Sequence, residues 1–455
     1  MAIATSTKLD KTSDQFLLDS YSGLGGYASG AYLVPHGREE EDDFEARKNL
    51  AVYRNFARKI VDVYMGFLWK QPPNREVDDL YTQFMANADG AGGKLDSVLS
   101  SHQRLAMILG TVYVIVDKPQ QQGQSRADQA IPYLALRMKN QLVAETKNAA
   151  GVWQSVTFVE QEGNEKVYRT FTTTGWRLTK DQEGSEVITR TLPDGSTKAE
   201  QGDYKIGRVP VVRLHIAKPL NPTDSYSQSF FYDLAQLCWE LYNIGSELRE
   251  QEREQAFSIL TIPAADKEER ERLQNLTIGT KNGLTYNPTG GGQPGYIAPL
   301  PDPMAHCMQR MAAIVLDIYR VANLEFVGSV QPSGEALSFH FMEANCSLSG
   351  MAEMCESAET EIAQLVSLWQ GGKFTGNISY PTDFNLSDVI KAIGIAMDSI
   401  NLGMGAEFDK AVKKLLAKQV LRNDVSSTTM AAIEKEIDAM GDTYGDRLAR
   451  QQAGA

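Results

Sequence analysis

From Leu337 to Trp369 the chain keeps one apolar seam without a break. Leu337, Phe341, Ala344, Leu348, Met351, Cys355, Ala358, Ile362, Leu365 and Trp369 follow one another at steps of four and three residues. Side chains three and four apart share a helix face, so this spacing predicts one long helix, either a coiled-coil strand or a core helix. Ala344, Gly350, Ala352 and Ala358 keep it slim enough for close packing. Pro332 and Gly334 mark a loop immediately before it.

The rest of the chain must supply the layers such a helix packs against. At 455 residues it exceeds one compact core and divides into two to four structural units. Residues 1–41 are rich in Gly, Ser and Tyr and read as a flexible arm. The acidic run 39–45 precedes a helix with Tyr53, Phe56, Ile60, Tyr64 and Phe67 on one face, ended by Pro72 and Pro73. Shorter helices are predicted over Val77–Ala86 and Leu95–Leu109. The β-branched run Thr111–Asp117 then opens a β-rich section over 110–217, with a hairpin turn at Asp194-Gly195. A second helix follows with Leu234, Leu237, Leu241, Ile244 and Leu248 in a three-four seam. Its end, from Ser246 on, is almost wholly polar, so there the helix leaves its packing layer. Residues 258–302 read as a small αβ insert. The next helix carries Met304, Met308, Met311, Val315, Ile318 and Ala322 on one side, and the region after Gly371-Gly372 is helical. The fold class is therefore α+β, mainly helical, with no internal repeat.

Charge and motifs exclude more than they assign. The formal net charge is −13, and a protein that grips nucleic acid by neutralising phosphates should be basic. No apolar run is long enough to span a membrane, and the polar N-terminus lacks the apolar centre of a signal peptide. Cys238, Cys307, Cys346 and Cys355 sit in helical patterns and read as small buried hydrophobes of a reducing compartment. The five histidines show no zinc spacing. The Gly-rich 289–295 stretch lacks the Lys-Ser/Thr that a phosphate loop needs, and reads as a turn. There is no Gly-x-Ser-x-Gly elbow. No catalytic constellation, cofactor motif or metal motif emerges, which favours an assembly role over an enzyme. Two charged runs have two readings each. The run Lys267, Glu268, Glu269, Arg270, Glu271, Arg272 is a solvated helix face or a docking surface. The run Glu247, Arg249, Glu250, Glu252, Arg253, Glu254 is free surface or polar contact between copies of one helix.

Three stretches resemble the portal proteins of tailed double-stranded DNA bacteriophages, the ring subunits at one capsid vertex. They are "YRNFARKIVDVYMGFLWKQPP", "LGTVYVIVDKP" followed by "IPYLALR", and "SGEALSFHF". Element order matches over most of 42–440. Two features depart from the pattern: Gly110-Thr111 stands where Gly-Arg is usual, and the first forty residues have no counterpart.

The resemblance implies a wing over 42–227, stem helices over 228–257 and 303–323, and a clip over 258–302. It further implies a tunnel loop over 324–336, a long wing helix with its return over 337–382, and a helical crown and tail over 383–455. It makes Glu325, Val327, Gly328, Ser329, Gln331, Pro332, Ser333, Gly334 and Glu335 the edge of a DNA channel. It makes the 267–272 run the clip docking surface and the 247–254 run the inter-subunit stem contact. The implied partners are further copies of the chain in a ring of about twelve, the terminase large subunit, major capsid and scaffolding proteins, head-completion adaptor and tail proteins, and DNA in transit without sequence specificity. The implied location is the capsid portal vertex of the virion, after assembly in the host cytoplasm. A hydrolase-like enzyme whose site forms only in the fold, and a head-completion adaptor, are the alternatives.

Overall fold

The structure, a computed structural model, describes residues 9–37, 39–118, 131–191, 196–221, 224–255, 259–264, 266–268, 283–286, 293–297, 302–324, 334–382, 384, 410–414, 417 and 427–439. It is a mixed α+β fold in two units, 1–384 and 385–455.

Residues 9–37 are not a free arm. Ser13 caps helix α1 (Asp14–Ser22) by accepting from the Phe16 N–H, and Phe16 and Leu17 are buried in the main core. The glycine-rich stretch that follows is a cluster of turns folded around inward-facing tyrosines. Tyr27 stacks on Tyr53 at 3.8 Å and meets Tyr242 edge-on at 5.2 Å. The acidic run supplies the first turn of α2 (Glu41–Leu50), where negative charge suits the helix dipole. The single helix expected here is two. The backbone breaks over 51–55, Asn55 caps α3 (Phe56–Leu68), and Tyr53 lies in the break.

Strand β1 (Asn74–Glu76), α4 (Asp79–Ala86) and α5 (Leu95–Leu109) lead into β2 (Thr111–Asp117). Strand β2 is apolar from Val112 to Val116 because it separates two cores. Val112, Val114 and Val116 face the helices. Tyr113 and Ile115 face a second cluster with Trp153, Val156, Phe158 and Phe171. Alternation of side chains across a strand makes both faces apolar at once. β2 is the middle of a three-stranded antiparallel sheet with β3 (Tyr133–Met138) and the later β11 (Val211–His215), where Val114 stands opposite Leu136 and Val212. The second cluster is covered by a five-stranded antiparallel sheet in the order β10-β7-β6-β5-β4. Its strands are Leu142–Lys147, Trp153–Glu162, Glu165–Thr172, Gly175–Thr179 and Gln201–Asp203 for β4, β5, β6, β7 and β10. The expected hairpin exists as β8 (Thr189–Thr191) and β9 (Thr197–Ala199); Asp194-Gly195 itself lies outside the described residues.

Gly110 connects α5 to β2 with φ +86°, and a Cβ there would lie 2.3 Å from the Ser227 carbonyl oxygen. Against it runs an extended belt, 224–231, whose serines point inward in alternation. Ser225 engages Glu145, Ser227 donates to Gly110 O at 2.7 Å, and Ser229 donates to Ile108 O at 2.5 Å. The belt delivers the chain into α6 (Tyr232–Gln255).

Beyond α6, β12 (Ile259–Pro263) pairs in parallel with β13 (Gly283–Tyr286) and antiparallel with β14 (Gly295–Ile297). α7 (Asp302–Val321) returns to pack on α6. The long seam forms α8 (Gly334–Trp369). Ala344, Leu348, Met351, Cys355, Ala358, Ile362 and Leu365 are buried in it, and Trp369 donates its ring N–H to Val116 O at 2.8 Å. Gly371, at φ +76°, reverses the chain. A strap then runs back along α8: β15 (Asn377–Ser379) pairs with β1, Tyr380 N donates to Glu356 at 2.9 Å, and Phe384 N donates to Asn345 at 2.7 Å. In the second unit, α9 (Ser427–Ala439) is helical as expected, and Lys414 pairs with Asp438 at 2.6 Å.

Candidate functional site

The element set that carries the functional reading is α6, the three-stranded insert, α7 and α8. In α6 the seam holds in part: Leu234, Leu241 and Leu248 are buried, while Leu237 and Ile244 are partly so. The first forty residues account for much of the remaining coverage. Trp239 donates its ring N–H to Tyr32 O at 2.9 Å, Tyr242 donates its hydroxyl to Tyr27 O at 2.9 Å, and Val34 N donates to Asn243 at 2.9 Å.

The polar end of α6 is engaged within the chain along much of its length. Arg47, 1% exposed, donates from Nε and Nη2 to the two oxygens of Glu39, each at 2.7 Å. It also donates to Ser246 Oγ at 2.9 Å and Val34 O at 2.8 Å, and Glu250 stands 3.5 Å away. Burial opposes the Arg47 charge, but Glu39 and then Glu250 more than restore it, so its pKa is raised. Arg249 donates to Leu50 O at 2.6 Å, and Glu247 lies 3.9 Å from His36. Glu252 and Arg253 are exposed, and Glu254 belongs to the last turn of the helix. Of the six residues of this run, Glu247, Arg249 and Glu250 are thus engaged with residues 36–50, and Glu252 and Arg253 are exposed.

Lys267 and Glu268 are exposed just beyond β12, whereas Glu269, Arg270, Glu271 and Arg272 lie outside the described residues. Of the residues expected at a channel edge, Glu325, Val327, Gly328, Ser329, Gln331, Pro332 and Ser333 also lie outside them. Gly334 and Glu335 are the first two residues of α8.

α7 differs from the expected face. Met311, Ile314, Ile318 and Ala322 are its buried residues, and Met308 is 56% exposed. Gly350 does not bring a neighbour close to α8, because a Cβ there would meet open space. It lines a cleft of about 460 Å³ with Phe230, Met351 and Cys346. Cys346 is exposed, unlike Cys238 and Cys355, whose thiols are pushed up by burial, Cys238 to about 11.

Sequence patterning gave no sign of a buried charge network under α8. Glu359, 1% exposed, accepts from Arg75 Nε at 2.5 Å and Nη2 at 3.1 Å, from Tyr380 Oη at 2.7 Å and from Tyr81 Oη at 3.2 Å. Burial first, then the Glu359 charge, raises both tyrosine pKa values far above normal. This network fixes the strap and β1 to α8. Among the described residues, the nearest approach to a nucleophile constellation is Ser225 with Lys147 and Glu145. Lys147 Nζ donates to Ser225 Oγ at 2.7 Å, and the Ser225 hydroxyl is given to Glu145. The attacking oxygen is thereby occupied, and the cluster pins the belt. Among the described residues no group of three or more His, Cys, Asp or Glu could hold a metal ion, and no helix is long and apolar enough to cross a membrane.

No family model matches the chain, and no curated protein matches it. Among solved structures, it is similar to the neck of an empty gene transfer agent particle computed with C6 symmetry. The TM-score is 0.45 at 13% identity, over 79% of this chain and 88% of that one. It is also similar to the virion of the native particle, at TM-score 0.41 and 12% identity, over 88% and 99% of the two chains. The neck of the native particle computed with C12 symmetry gives TM-score 0.38 and 10% identity, over 92% and 98%.

Proposed function

We propose that the chain is a portal-type ring subunit of a tailed-phage-like particle, forming the channel through which double-stranded DNA is packaged and later leaves. One observation carries this reading: two adjacent helices, α6 and α7, flank a small three-stranded insert and are followed directly by the single helix Gly334–Trp369. That is the stem, clip, stem and wing-helix order implied by the sequence resemblance. The net charge of −13 supports it, because a passage that must not stall its cargo avoids phosphate contacts. The ring copies, terminase, capsid, scaffolding, adaptor and tail proteins are the partners on this reading, and the portal vertex is its location. The 267–272 run would dock the motor or adaptor.

Deletion of residues 329–333 tests the proposal in an infection assay. Rings should still assemble, and packaging or DNA retention should fall. Unchanged packaging would remove the channel role from this loop. Substitution of Gly334 by Pro is the weaker test, because Gly334 opens α8 and proline is tolerated in the first helical turn.

A further inference from the structure

The belt over 224–231 is held along one edge and open along the other. In an extended chain, successive residues turn their backbone groups to opposite sides. The odd-numbered serines are bound. Ser225 O accepts from the Tyr113 hydroxyl at 2.8 Å, and Ser227 N donates to Thr111 Oγ1 at 2.8 Å. The even-numbered residues are not. Among the described residues, the N–H and C=O groups of Tyr226 and Gln228 have no hydrogen-bond partner. Both residues are exposed, Tyr226 by 60%. Gln228 also stands where two clefts meet. The cleft of about 460 Å³ beside α8 and a second of about 540 Å³ share Lys218, Gln228 and Ser229. Leu17, Leu109 and Tyr232 line the second, and so does Leu220, 95% exposed.

We infer that this open edge takes an added extended strand, and that its occupant is the chain's own segment, residues 1–8. An unpaired backbone edge beside an apolar groove is the geometry of strand addition: main-chain hydrogen bonds bind the strand, and the groove takes its alternate side chains. Three features select residues 1–8. The first is reach. Thr12 lines the same cleft as Gln228, and Lys8 stands four positions before it. Eight extended residues span roughly 26 Å, more than the length of 226–229. The tether gives the segment an effective concentration on the order of millimolar, which a partner in trans must exceed. The second is pattern. In MAIATSTK, β-branched Ile3, Thr5 and Thr7 fall at every second position, with no Gly or Pro, which is strand spacing. The third is charge. Lys139 and Lys218 in the second cleft pair with Asp14 at 3.2 Å and Glu353 at 2.9 Å. Among the described residues lining it, Asp224 is left as the charge without an ion pair, and the one charged side chain of the segment is Lys8. Docking of this kind belongs to a single chain and stands whether or not chains form a ring.

Hydrogen exchange resolved to single amides tests this, comparing the full chain with a variant lacking residues 2–8 at a concentration where both are monomeric. The Tyr226 and Gln228 amides should exchange at least tenfold more slowly in the full chain than in the deletion. The Ser227 amide, bound to Thr111, should be the same in both. Ile3→Asp keeps the chain length, should give the same loss of protection, and carries the test if the deletion unfolds. Lys8→Glu should give a smaller loss. Equally fast exchange in the full chain and in both variants would mean a solvated edge and would overturn the inference. Protection that survives the deletion and Ile3→Asp would assign the edge to another segment and overturn it too. So would protection that appears only as concentration rises, which would assign the edge to a second copy.

Discussion

Replacing Glu359 by alanine gives the sharpest test of how α8 is held. Its carboxylate accepts four hydrogen bonds inside a site where Arg75 retains only 6% side-chain exposure. Removing one member of a buried ion pair leaves the other charge uncompensated, at a typical loss of about 3–5 kcal/mol. Arg75 keeps a second partner, Asp96 at 2.7 Å, but that carboxylate is 46% exposed and screened. We therefore expect about 3 kcal/mol, the low end of the range. Two buried tyrosine hydroxyls also lose their acceptor, which keeps the value from falling further. The assay is chemical denaturation followed by tryptophan fluorescence, with amide exchange at Asn377–Tyr380 as a local readout. Faster exchange of the strap should accompany the lower midpoint. The double variant Arg75→Met/Glu359→Leu should be far less damaging than the two single changes added together, since no charge is then stranded. A Glu359→Ala protein within about 1 kcal/mol of wild type would refute the account of the strap as anchored by this network.

Gly110→Ala should destabilise by about 3 kcal/mol in the same assay, because φ is +86° and the new Cβ would collide with the Ser227 carbonyl. Stability should also fall as pH drops from about 6.5 towards 4. Burial holds His102 neutral down to about 4, so between those values the unfolded chain binds a proton that the folded chain refuses. The loss reaches about 3 kcal/mol per such histidine, and His102→Gln should flatten that slope in denaturation curves taken across the range. His215, lowered to about 4 by burial and then by Arg213, adds a slope of the same sign. Arg47→Met should loosen α2 from α6 and speed proteolysis within residues 34–50, whereas Arg253→Met, at an exposed position, should leave it unchanged.

Much of the framework was legible because apolar periodicity is a direct record of burial. The α8 seam, the β-branched β2 strand and the Leu95–Leu109 helix were read at their observed places. The misses share a cause. Arg47 and Glu359 are charged residues in sequences that resemble solvated surface, and nothing local reveals a partner as far away as Ser246 is from Arg47, 199 positions, or Arg75 from Glu359, 284 positions. The glycine-rich opening reads as flexible, yet Gly25 takes φ +56° so that the backbone can close on the Asp19 carboxylate. Met308 fits the α7 pattern as well as Met311 does, and only the fold separates the face that packs on α6 from the face left open.

Electron microscopy of the purified full-length chain, with and without scaffolding protein, decides whether the chain forms a ring. Closed rings of identical subunits around an open axial channel are the expected result. A uniform population of monomers or dimers under both conditions would contradict it.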